Sequence, residues 1–522
     1  MDSRSPRWPL ARIAFALVAA IAVAVALSTC GGGGGGGGAG GPAGGPGASS
    51  AKAPSDQPTF NVTGATTSRP LPSGFVGLST QIKALEEFAG TNPAAVSPAF
   101  VHLIEDLAPE QTPVLRLGGD STDWSWWPVA HVARPPGVKF TLTPNWFDVA
   151  HAVATAVRGK LILGVDLEAD NRTVAAAEAN AMVNRIGRSS IAALELGNEP
   201  ELYGTFGWYR SAAGNAVPGR PHDYDPAAFE RDYSTFSPRL PNVELAGPSS
   251  GAAPWLAKLG SFLAAEPRVG LVTVHAYPLK HCTASKVITA GQLLSEQSTH
   301  GLAASLAPYV AVARAHHHPL RLDEMNGISC GGYRGISDTF TSALWVLDTL
   351  FELSRVGVAG VNVNTVPGSI NEILGPEGTG SDERIRVHPE YYGMMMFAQA
   401  APAGSRLLKL GTKTPHGVKI WATRARDGVI HLVVINKRPS GSQFLRLRVA
   451  GAHGAAAVEQ LRAPSIRSTG GVTIGGQTFG AETTTGVLAG PAEHHTVASS
   501  GGGYPVTVPA ASATMLTIPA PN

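Results

Sequence analysis

Short β-rich segments alternate with alanine-rich stretches of helical periodicity between about residues 74 and 397. Their spacing is typical of βα units, and eight repeats favour a parallel (β/α)8 TIM barrel over an open doubly wound sheet. The clearest predicted helices are Thr173–Ile186, Ile288–Ala315 and Ser337–Val356. The eight predicted strands are Phe75–Ser79, Val114–Leu117, Lys160–Val165, Ala193–Leu196, Glu244–Ala246, Leu271–His275, Leu320–Asp323 and Gly360–Val363.

After about residue 400 the pattern changes to short alternating segments separated by Gly, Pro, Ser and Asn, which indicates antiparallel β structure. We therefore predict a catalytic barrel over residues 59–398 and a C-terminal β-sandwich domain over residues 399–522. The predicted strands of the second domain are Val418–Thr423, Val429–Asn436, Phe444–Val449, Ala456–Leu461, Thr483–Leu488, Tyr504–Val508 and Ala513–Ile518.

The first 30 residues have the pattern of an export signal. Three arginines precede an apolar run at 13–27, which is short for a membrane span but suits the hydrophobic region of a signal peptide. The run ends in Leu-Ser-Thr-Cys, which resembles a bacterial lipoprotein signal and makes Cys30 a candidate for lipidation. Ordinary secretion and an uncleaved anchor are the alternatives. Residues 31–58 are rich in Gly, Ala and Pro and predict a flexible linker. We expect an exported protein of the cell envelope, attached to the membrane only through this segment.

Composition narrows the class of protein. Of the 522 residues, 43% are hydrophobic and 15% are charged, with a formal net charge of +2. The apolar content excludes a disordered chain, and the near-neutral charge argues against a nucleic-acid partner. Cys-x-x-Cys and His-Glu-x-x-His spacings do not occur, so no metal site is predicted. Adjacent side chains diverge, so we interpret His316-His317-His318 as a solvated loop before a strand.

Two cysteines remain beyond Cys30. In an exported chain, Cys282 and Cys330 are predicted to form one disulfide, and two unpaired buried thiols are the alternative.

Two predicted strands deliver a glutamate to the same end of the barrel. The fourth runs into Gly-Asn198-Glu199-Pro, and the seventh runs into Glu324. Catalytic groups of such barrels lie at the carboxyl ends of the strands, and strands four and seven face each other across the mouth. Two carboxylates about 5 to 5.5 Å apart support retaining glycoside hydrolysis. Two unrelated rim glutamates in salt bridges are the other interpretation.

Five ordered motifs resemble glycoside hydrolase family 79, which includes β-glucuronidases and heparanase within clan A of retaining hydrolases. They are PVLRLGGDSTDWSWW, ALELGNEPELY, VTVHAYPLKHC, LDEMNGISCGGYRGISDTFTSALWVLDTL and HPEYYGMMMFAQAAP. The resemblance covers roughly residues 70–520. It implies that Glu199 is the general acid/base and Glu324 the nucleophile, without a metal or an organic cofactor. It also implies that Asn198 binds the sugar 2-hydroxyl and that Tyr277 contacts the nucleophile.

The resemblance also suggests where the sugar is recognised. Gly331 and Gly332 match a glycine pair whose backbone amides hold a uronate carboxylate, and Tyr333 stands beyond them. Gln81 and Asp120 follow strands one and two and are further candidate sugar contacts, although an acidic residue at 120 departs from the family. The rim loops of Cys282 and Cys330 are neighbours, which favours the disulfide. The tryptophans at 124, 126 and 127 either stack on sugars or pack in the core.

The sequence thus predicts a monomeric retaining β-glycosidase, best described as β-glucuronidase-like, acting on an oligo- or polysaccharide or a glucuronide. One alternative keeps the fold and mechanism with a neutral sugar, since Asp120 would repel a uronate if it faced the pocket. Another alternative is an inactive carbohydrate-binding surface protein.

Overall fold

Eight parallel strands close into a barrel, which confirms the predicted (β/α)8 fold. The computed structural model describes residues 58–283, 286–378 and 382–520. The predicted signal segment, Cys30 and the linker lie outside the described residues. The barrel strands, numbered 1 to 8 in chain order, are Val76–Gln81, Val114–Gly118, Lys160–Val165, Ile191–Leu196, Leu245–Ser250, Val269–Ala276, Leu320–Met325 and Gly360–Asn364.

Helices pack around this barrel. None in the described part of the chain has the length and apolar character needed to cross a membrane. Single 3₁₀ turns occur at Ile82–Ala84, Gly119–Ser121, Arg188–Ser190, Pro200–Leu202 and Ser237–Arg239. The α-helices are Leu85–Ala89, Pro98–Glu105, Pro144–Ala156, Arg172–Ile186, Pro226–Phe236, Ala253–Leu256, Leu259–Ala265, Ala290–Leu293, Leu302–Ala315, Phe340–Val356 and Pro389–Ala400.

Several helices begin with the same local chemistry. At Ser97-Pro98, Thr143-Pro144 and Asp225-Pro226, the first side chain accepts a hydrogen bond from a backbone N–H in the first turn. The proline that follows has no N–H to leave unpaired, and its fixed φ suits the first helical position. These starts are therefore fixed by sequence alone.

The predicted helix Ile288–Ala315 is interrupted, which corrects the sequence prediction. It divides into Ala290–Leu293, a π-helical turn at Gln297–Gly301, and Leu302–Ala315. The Ser298 hydroxyl donates to the Gln292 carbonyl at 2.7 Å, and this local bond competes with a regular helical ladder.

The second domain is one continuous, curled sheet of ten strands around its own apolar core. We expected a sandwich of residues 399–522, but Thr59–Thr66 also belongs to this sheet, so the barrel does not begin at residue 59. That strand pairs antiparallel with Arg406–Leu410 and parallel with Gln443–Val449. Its inward Phe60 and Val62 are buried. The other strands are Val418–Arg424, Ile430–Asn436, Ala455–Arg462, Thr473–Ile474, His495–Ala498, Tyr504–Val508 and Ser512–Ile518.

The predicted strand Thr483–Leu488 is wrong. Thr483 makes a single bridge to Ile385, and its hydroxyl accepts hydrogen bonds from the N–H groups of Thr485 and Gly486. These bonds close a turn instead. Three small two-stranded sheets lie on the barrel, at Ser125–Trp126 with Phe140–Thr141, Tyr209–Arg210 with Ala216–Val217, and Leu374–Glu377 with Arg384–Val387.

Helix Phe340–Val356, which follows barrel strand 7, is held by the second domain. Its buried Asp348 accepts from Lys437 Nζ at 2.6 Å and from Trp421 Nε1 at 2.8 Å. The rings of Phe351 and Trp421 stack with centroids 5.3 Å apart. Burial alone would raise the pKa of the Asp348 carboxyl, but Lys437 and Lys419 hold it below its usual value.

Replacing Asp348 should therefore destabilise the protein. Asp348→Ala leaves the Lys437 ammonium buried without its counter-charge, and we expect a loss of about 3 to 5 kcal/mol. The matched control is Glu377→Ala, because Glu377 pairs with Arg386 where both side chains are about 40% exposed, and such a pair contributes about 1 kcal/mol or less. Urea unfolding midpoints measure both, and equal shifts would contradict the assignment.

Candidate active site

A fully buried arginine organises the carboxyl end of the barrel. Arg116 lies near the end of barrel strand 2, and its guanidinium reaches side chains from five other strands and the loop after strand 4. Nε donates to Glu195 Oε2 at 2.7 Å, and Nη1 donates to Glu324 Oε2 at 2.7 Å. Nη2 donates to Asn198 Oδ1 at 2.8 Å and lies 3.3 Å from His275 Nε2. One side chain thus fixes the positions of several others.

The ionisable groups of this buried cluster shift one another's pKa values. Asp323 Oδ2 lies 2.9 Å from Arg116 Nε, yet burial and the negative charge of Glu195 raise the pKa of Asp323 well above its usual value. Arg116 and Asp323 in turn hold the pKa of Glu195 below its usual value against the effect of burial. Burial would lower the pKa of His275, but Glu324, Glu199 and Asp323 raise it to about 10. Arg116 and His275 therefore lie among four carboxyl groups, those of Glu195, Asp323, Glu199 and Glu324.

Glu324 is held as an anion. Its Oε1 accepts from the Tyr277 hydroxyl at 2.8 Å, and Asn364 Nδ2 donates to that same hydroxyl at 3.0 Å. Burial would raise the pKa of Glu324, but His275 and Arg116 together lower it below the usual value. The predicted contact between Tyr277 and Glu324 is present in the structure.

Glu199 lies opposite Glu324 on a strained backbone. Its φ of 47° and ψ of 56° are left-handed, a conformation that is costly for a residue with a side chain and is concentrated at functional sites. Its N–H donates to the Ser249 carbonyl at 2.9 Å, and its Oε1 lies 3.0 Å from His275 Nδ1. An oxygen of Glu199, one of Glu324 and a ring nitrogen of His275 all lie within 4.8 Å of one another.

Buried Asp123 supports the loop that carries Asn198 and Glu199. Its Oδ2 accepts from the Asn198 N–H at 3.1 Å and from the Tyr203 hydroxyl at 2.9 Å. Its Oδ1 accepts from the backbone of Leu167 at 3.0 Å. The loop after strand 2 therefore fixes the loop after strand 4.

Glu199, His275 and Glu324 could in principle offer three ligands to a metal ion. Metal ligands must be deprotonated. With its pKa raised to about 10, His275 holds a proton at neutral pH, and the Arg116 guanidinium already occupies one oxygen of Glu324. The positive charges of His275 and Arg116 thus already lie beside these carboxylates, which disfavours a bound metal ion.

Asp120 and Gln81 lie beside the two glutamates. Gln81 Oε1 accepts from the Ser121 N–H at 2.8 Å, which ties the end of strand 1 to the turn after strand 2. The Asp120 side chain is exposed to the cleft, and partial desolvation there, with the negative charges of Glu324 and Glu199, raises its pKa to about 6. Asp120 is therefore near enough to both glutamates to interact with them electrostatically.

The loops after strands 6 and 7 are joined, as predicted. Cys282 and Cys330 form a disulfide, and the Ser329 N–H donates to the Leu279 carbonyl at 3.0 Å. The φ angles of Gly331 and Gly332 are 82° and 88°, and a Cβ on Gly332 would lie 2.8 Å from the Asn371 backbone nitrogen, so glycine is required there. This fixes the backbone of the glycine pair.

The aromatic residues that were candidate sugar contacts lie in different surroundings. Tyr333 packs edge-on against His281 with ring centroids 4.7 Å apart, and its contact with a sugar stays a prediction. Trp126 is buried and Trp127 packs on Phe147, so both belong to the core. The ammonium of Lys139 lies 3.4 Å above the Trp124 ring.

Sequence reasoning missed the roles of Arg116 and His275. Each lies in an apolar strand segment, in VLRLG and VTVHA, at a position that must be buried. A charged residue at a buried strand position needs partners, and that signal could have identified both.

The second domain matches the model of a known protein family. Residues 420–515 match the family model "Glycosyl hydrolase family 79 C-terminal beta domain". No curated protein resembles the sequence at a significant level.

Solved structures share the fold over nearly the whole chain. A 4-O-α-L-rhamnosyl-β-D-glucuronidase from Fusarium oxysporum 12S is 22% identical with a TM-score of 0.69, covering 88% of this chain and 100% of that one. A GH51 arabinofuranosidase from Xanthomonas axonopodis pv. citri is 14% identical with a TM-score of 0.61, covering 88% of this chain and 99% of that one.

Because the pKa of His275 is raised, the free energy of unfolding should decrease as the pH rises above neutrality. Because the folded pKa of about 10 exceeds the unfolded value of about 6.5, this contribution is fully present below pH 6.5 and is lost as pH rises through 10. We expect the free energy of unfolding to fall by up to about 1.4 kcal/mol per pH unit between these values. Urea unfolding at pH 7, 8 and 9 measures the slope, and His275→Gln should flatten it. A variant with an unchanged slope would refute the assignment.

The domain match, together with the barrel that carries the five motifs, confirms the resemblance of this chain to glycoside hydrolase family 79.

Proposed function

We propose that this protein is a retaining glycoside hydrolase that cleaves glucuronic-acid-containing glycans, with Glu324 as nucleophile and Glu199 as general acid/base. The observation that carries the proposal is the pair of carboxylate oxygens within 4.8 Å across the barrel mouth. Retaining enzymes need about 5 to 5.5 Å between the two groups, whereas inverting enzymes need more room for a water molecule. A pair this close, with one member held as an anion, supports an enzyme over an inactive binding protein.

The first half of the reaction would form a glycosyl ester. The Glu324 carboxylate attacks the anomeric carbon while the bond to the leaving oxygen breaks, and Glu199 gives its proton to that oxygen. His275 Nδ1, protonated and 3.0 Å from Glu199 Oε1, occupies that oxygen, so the transferred proton belongs on Oε2. Asn198, held by Arg116 and Asp123, is oriented toward the sugar 2-hydroxyl in this proposal.

The second half would return the enzyme to its starting state. Glu199, now ionised, accepts a proton from water, and the resulting nucleophile attacks the anomeric carbon and releases Glu324. Arg116 and Tyr277 each hold one Glu324 oxygen. They stabilise the carboxylate as a leaving group, which speeds breakdown of the ester.

Two observations support a glucuronide substrate. The similar Fusarium oxysporum enzyme is a 4-O-α-L-rhamnosyl-β-D-glucuronidase, and the Gly331-Gly332 backbone offers N–H groups that can bind a carboxylate without a formal charge. The apolar segment at 13–27 supports export, and Cys30 is the proposed attachment point at the cell envelope.

A neutral sugar is the second candidate, and Asp120 is the observation that favours it. The charges of Glu324 and Glu199 contribute to raising the pKa of Asp120, which supports a position near the reaction centre, where the Asp120 charge would repel a uronate. Two solved arabinofuranosidases that share the fold are consistent with this second candidate.

Substitution of each glutamate should separate their roles. Glu324→Ala should abolish turnover of every glycoside, and added azide should yield a glycosyl azide of inverted configuration. Glu199→Ala should slow substrates with poor leaving groups by about 10² to 10⁴-fold, spare dinitrophenyl glycosides, and yield a retained azide product. Product analysis by NMR gives the configuration. Glu201→Gln, in the same rim turn, is the control and should change rates less than about tenfold; the same azide product from both alanine variants would overturn the roles.

The charge of Asp120 should set the preference for uronates. Because its pKa is about 6, the side chain ionises above that pH, and the kcat/KM ratio of aryl glucuronide to aryl glucoside should fall as pH rises from 5 to 7. Asp120→Asn removes the charge without changing the size and should raise that ratio several-fold at pH 7. A wild-type preference for the glucoside that Asp120→Asn leaves unchanged would favour the neutral-sugar candidate.

A further inference from the structure

A cleft at the end of the barrel opposite the two glutamates is lined by several basic side chains. It encloses about 490 Å³ and is bordered by Phe75, Leu320 and Ala359, which lie at or before the starts of strands 1, 7 and 8. Glu199 and Glu324 lie at the carboxyl ends of their strands. The two sites are therefore separated by the length of the barrel.

Four cationic or ionisable basic side chains line this cleft. Arg69 comes from the segment before barrel strand 1, and Arg314, His317 and His318 come from the helix end and turn before strand 7. The two histidines are part of the predicted solvated loop at 316–318, and the structure confirms its position before a strand. Residues 69 and 314 are far apart in sequence, so no basic run reveals the cluster.

No carboxylate in the described part of the chain pairs with the basic side chains of this cleft. Within the described residues, the lining contains no Asp or Glu, and none of the four basic side chains forms an ion pair. Arg314 Nη2 donates to the Gly357 carbonyl at 2.8 Å, which satisfies one donor but supplies no counter-charge. Partial burial and the nearby guanidinium of Arg69 lower the pKa of Arg314. Two guanidinium groups thus repel each other at the edge of a concave space.

A second cleft at the same end of the barrel shows the ordinary alternative. There Glu244 lines the space together with Arg188 and Arg268. Both arginines donate to backbone carbonyls, Arg188 to Asn242 and Arg268 to Pro241. The second cleft thus has a carboxylate among its lining residues, and the first cleft has none.

We propose that the cleft lined by Arg69, Arg314, His317 and His318 binds a small oxyanion, a phosphate, sulfate or carboxylate group, as a site separate from the catalytic centre. Guanidinium groups bind such anions through paired N–H donors. The walls include Leu71 and Phe75, which suit an apolar or sugar portion attached to the anion. A volume of about 490 Å³ lies within the range of small-molecule sites.

The concave shape favours a soluble oxyanion over a membrane surface. Binding to anionic lipid normally uses several basic side chains on a protruding face, whereas these four surround a recess. A phospholipid headgroup remains a possible source of the same chemistry, and the experiment includes an arm for it.

Calorimetric titration of the full-length protein with sodium phosphate, against sodium chloride of equal ionic strength, tests the proposal. We expect saturable binding that Arg69→Glu weakens by about tenfold or more, because the reversed charge repels the anion. Arg69 is exposed, so this variant should fold, and an unchanged thermal midpoint without phosphate verifies that. Arg314→Gln should weaken binding in the same direction. The matched control is Arg188→Glu in the second cleft, which should leave binding unchanged.

The remaining arms locate the site and the source of the anion. Hydrolysis of an aryl glycoside at saturating phosphate should be unchanged, because the cleft is far from Glu199 and Glu324; this holds whatever sugar proves to be the substrate. Co-sedimentation with phosphatidylglycerol vesicles, absent with phosphatidylcholine and lost in Arg69→Glu, would assign the oxyanion to a lipid headgroup, and its absence would assign it to a soluble molecule. The proposal fails if phosphate does not bind or if Arg188→Glu weakens binding as much as Arg69→Glu.

Discussion

The guanidinium of Arg116 is the interaction on which the reaction centre depends. It is fully buried inside the barrel, where an unpaired charge would be prohibitively costly. Its donors must therefore be satisfied, and Glu195, Asn198 and Glu324 from different elements converge on it. The cost of burying one charge thus becomes a geometric constraint on the carboxyl ends of several strands.

The same electrostatic constraint explains why the two glutamates differ. Glu324 is reached by Arg116 and Tyr277 and is held as an anion. Glu199 is held from the other side, through His275 and a strained backbone that Ser249 and Asp123 support. Two identical side chains therefore have different surroundings, which is the condition for one to attack and the other to transfer a proton.

Most of the fold could be predicted from local sequence patterns. All eight barrel strands were predictable because buried parallel strands are continuous apolar runs, and both glutamates were predictable because they directly follow such runs. The strand Thr59–Thr66 was not predictable as part of the second domain, because its pairing joins residues more than 300 positions apart, such as Val62 and Leu410. The roles of Arg116 and His275 could not be predicted from the sequence for a related reason. Their roles follow from partners on other strands, and those partners are visible only when the barrel closes.

The second domain also bears on the chemistry through strand 7. Glu324 lies in strand Leu320–Met325, and the helix that follows, Phe340–Val356, is buried along nearly its whole length. The second domain fixes that helix through Lys437, Trp421 and the stacked Phe351. The disulfide between Cys282 and Cys330 restrains the intervening loop at its other end. The segment that follows Glu324 is thus held at two points, by the disulfide and by the second domain, so the β domain helps to support the position of the proposed nucleophile.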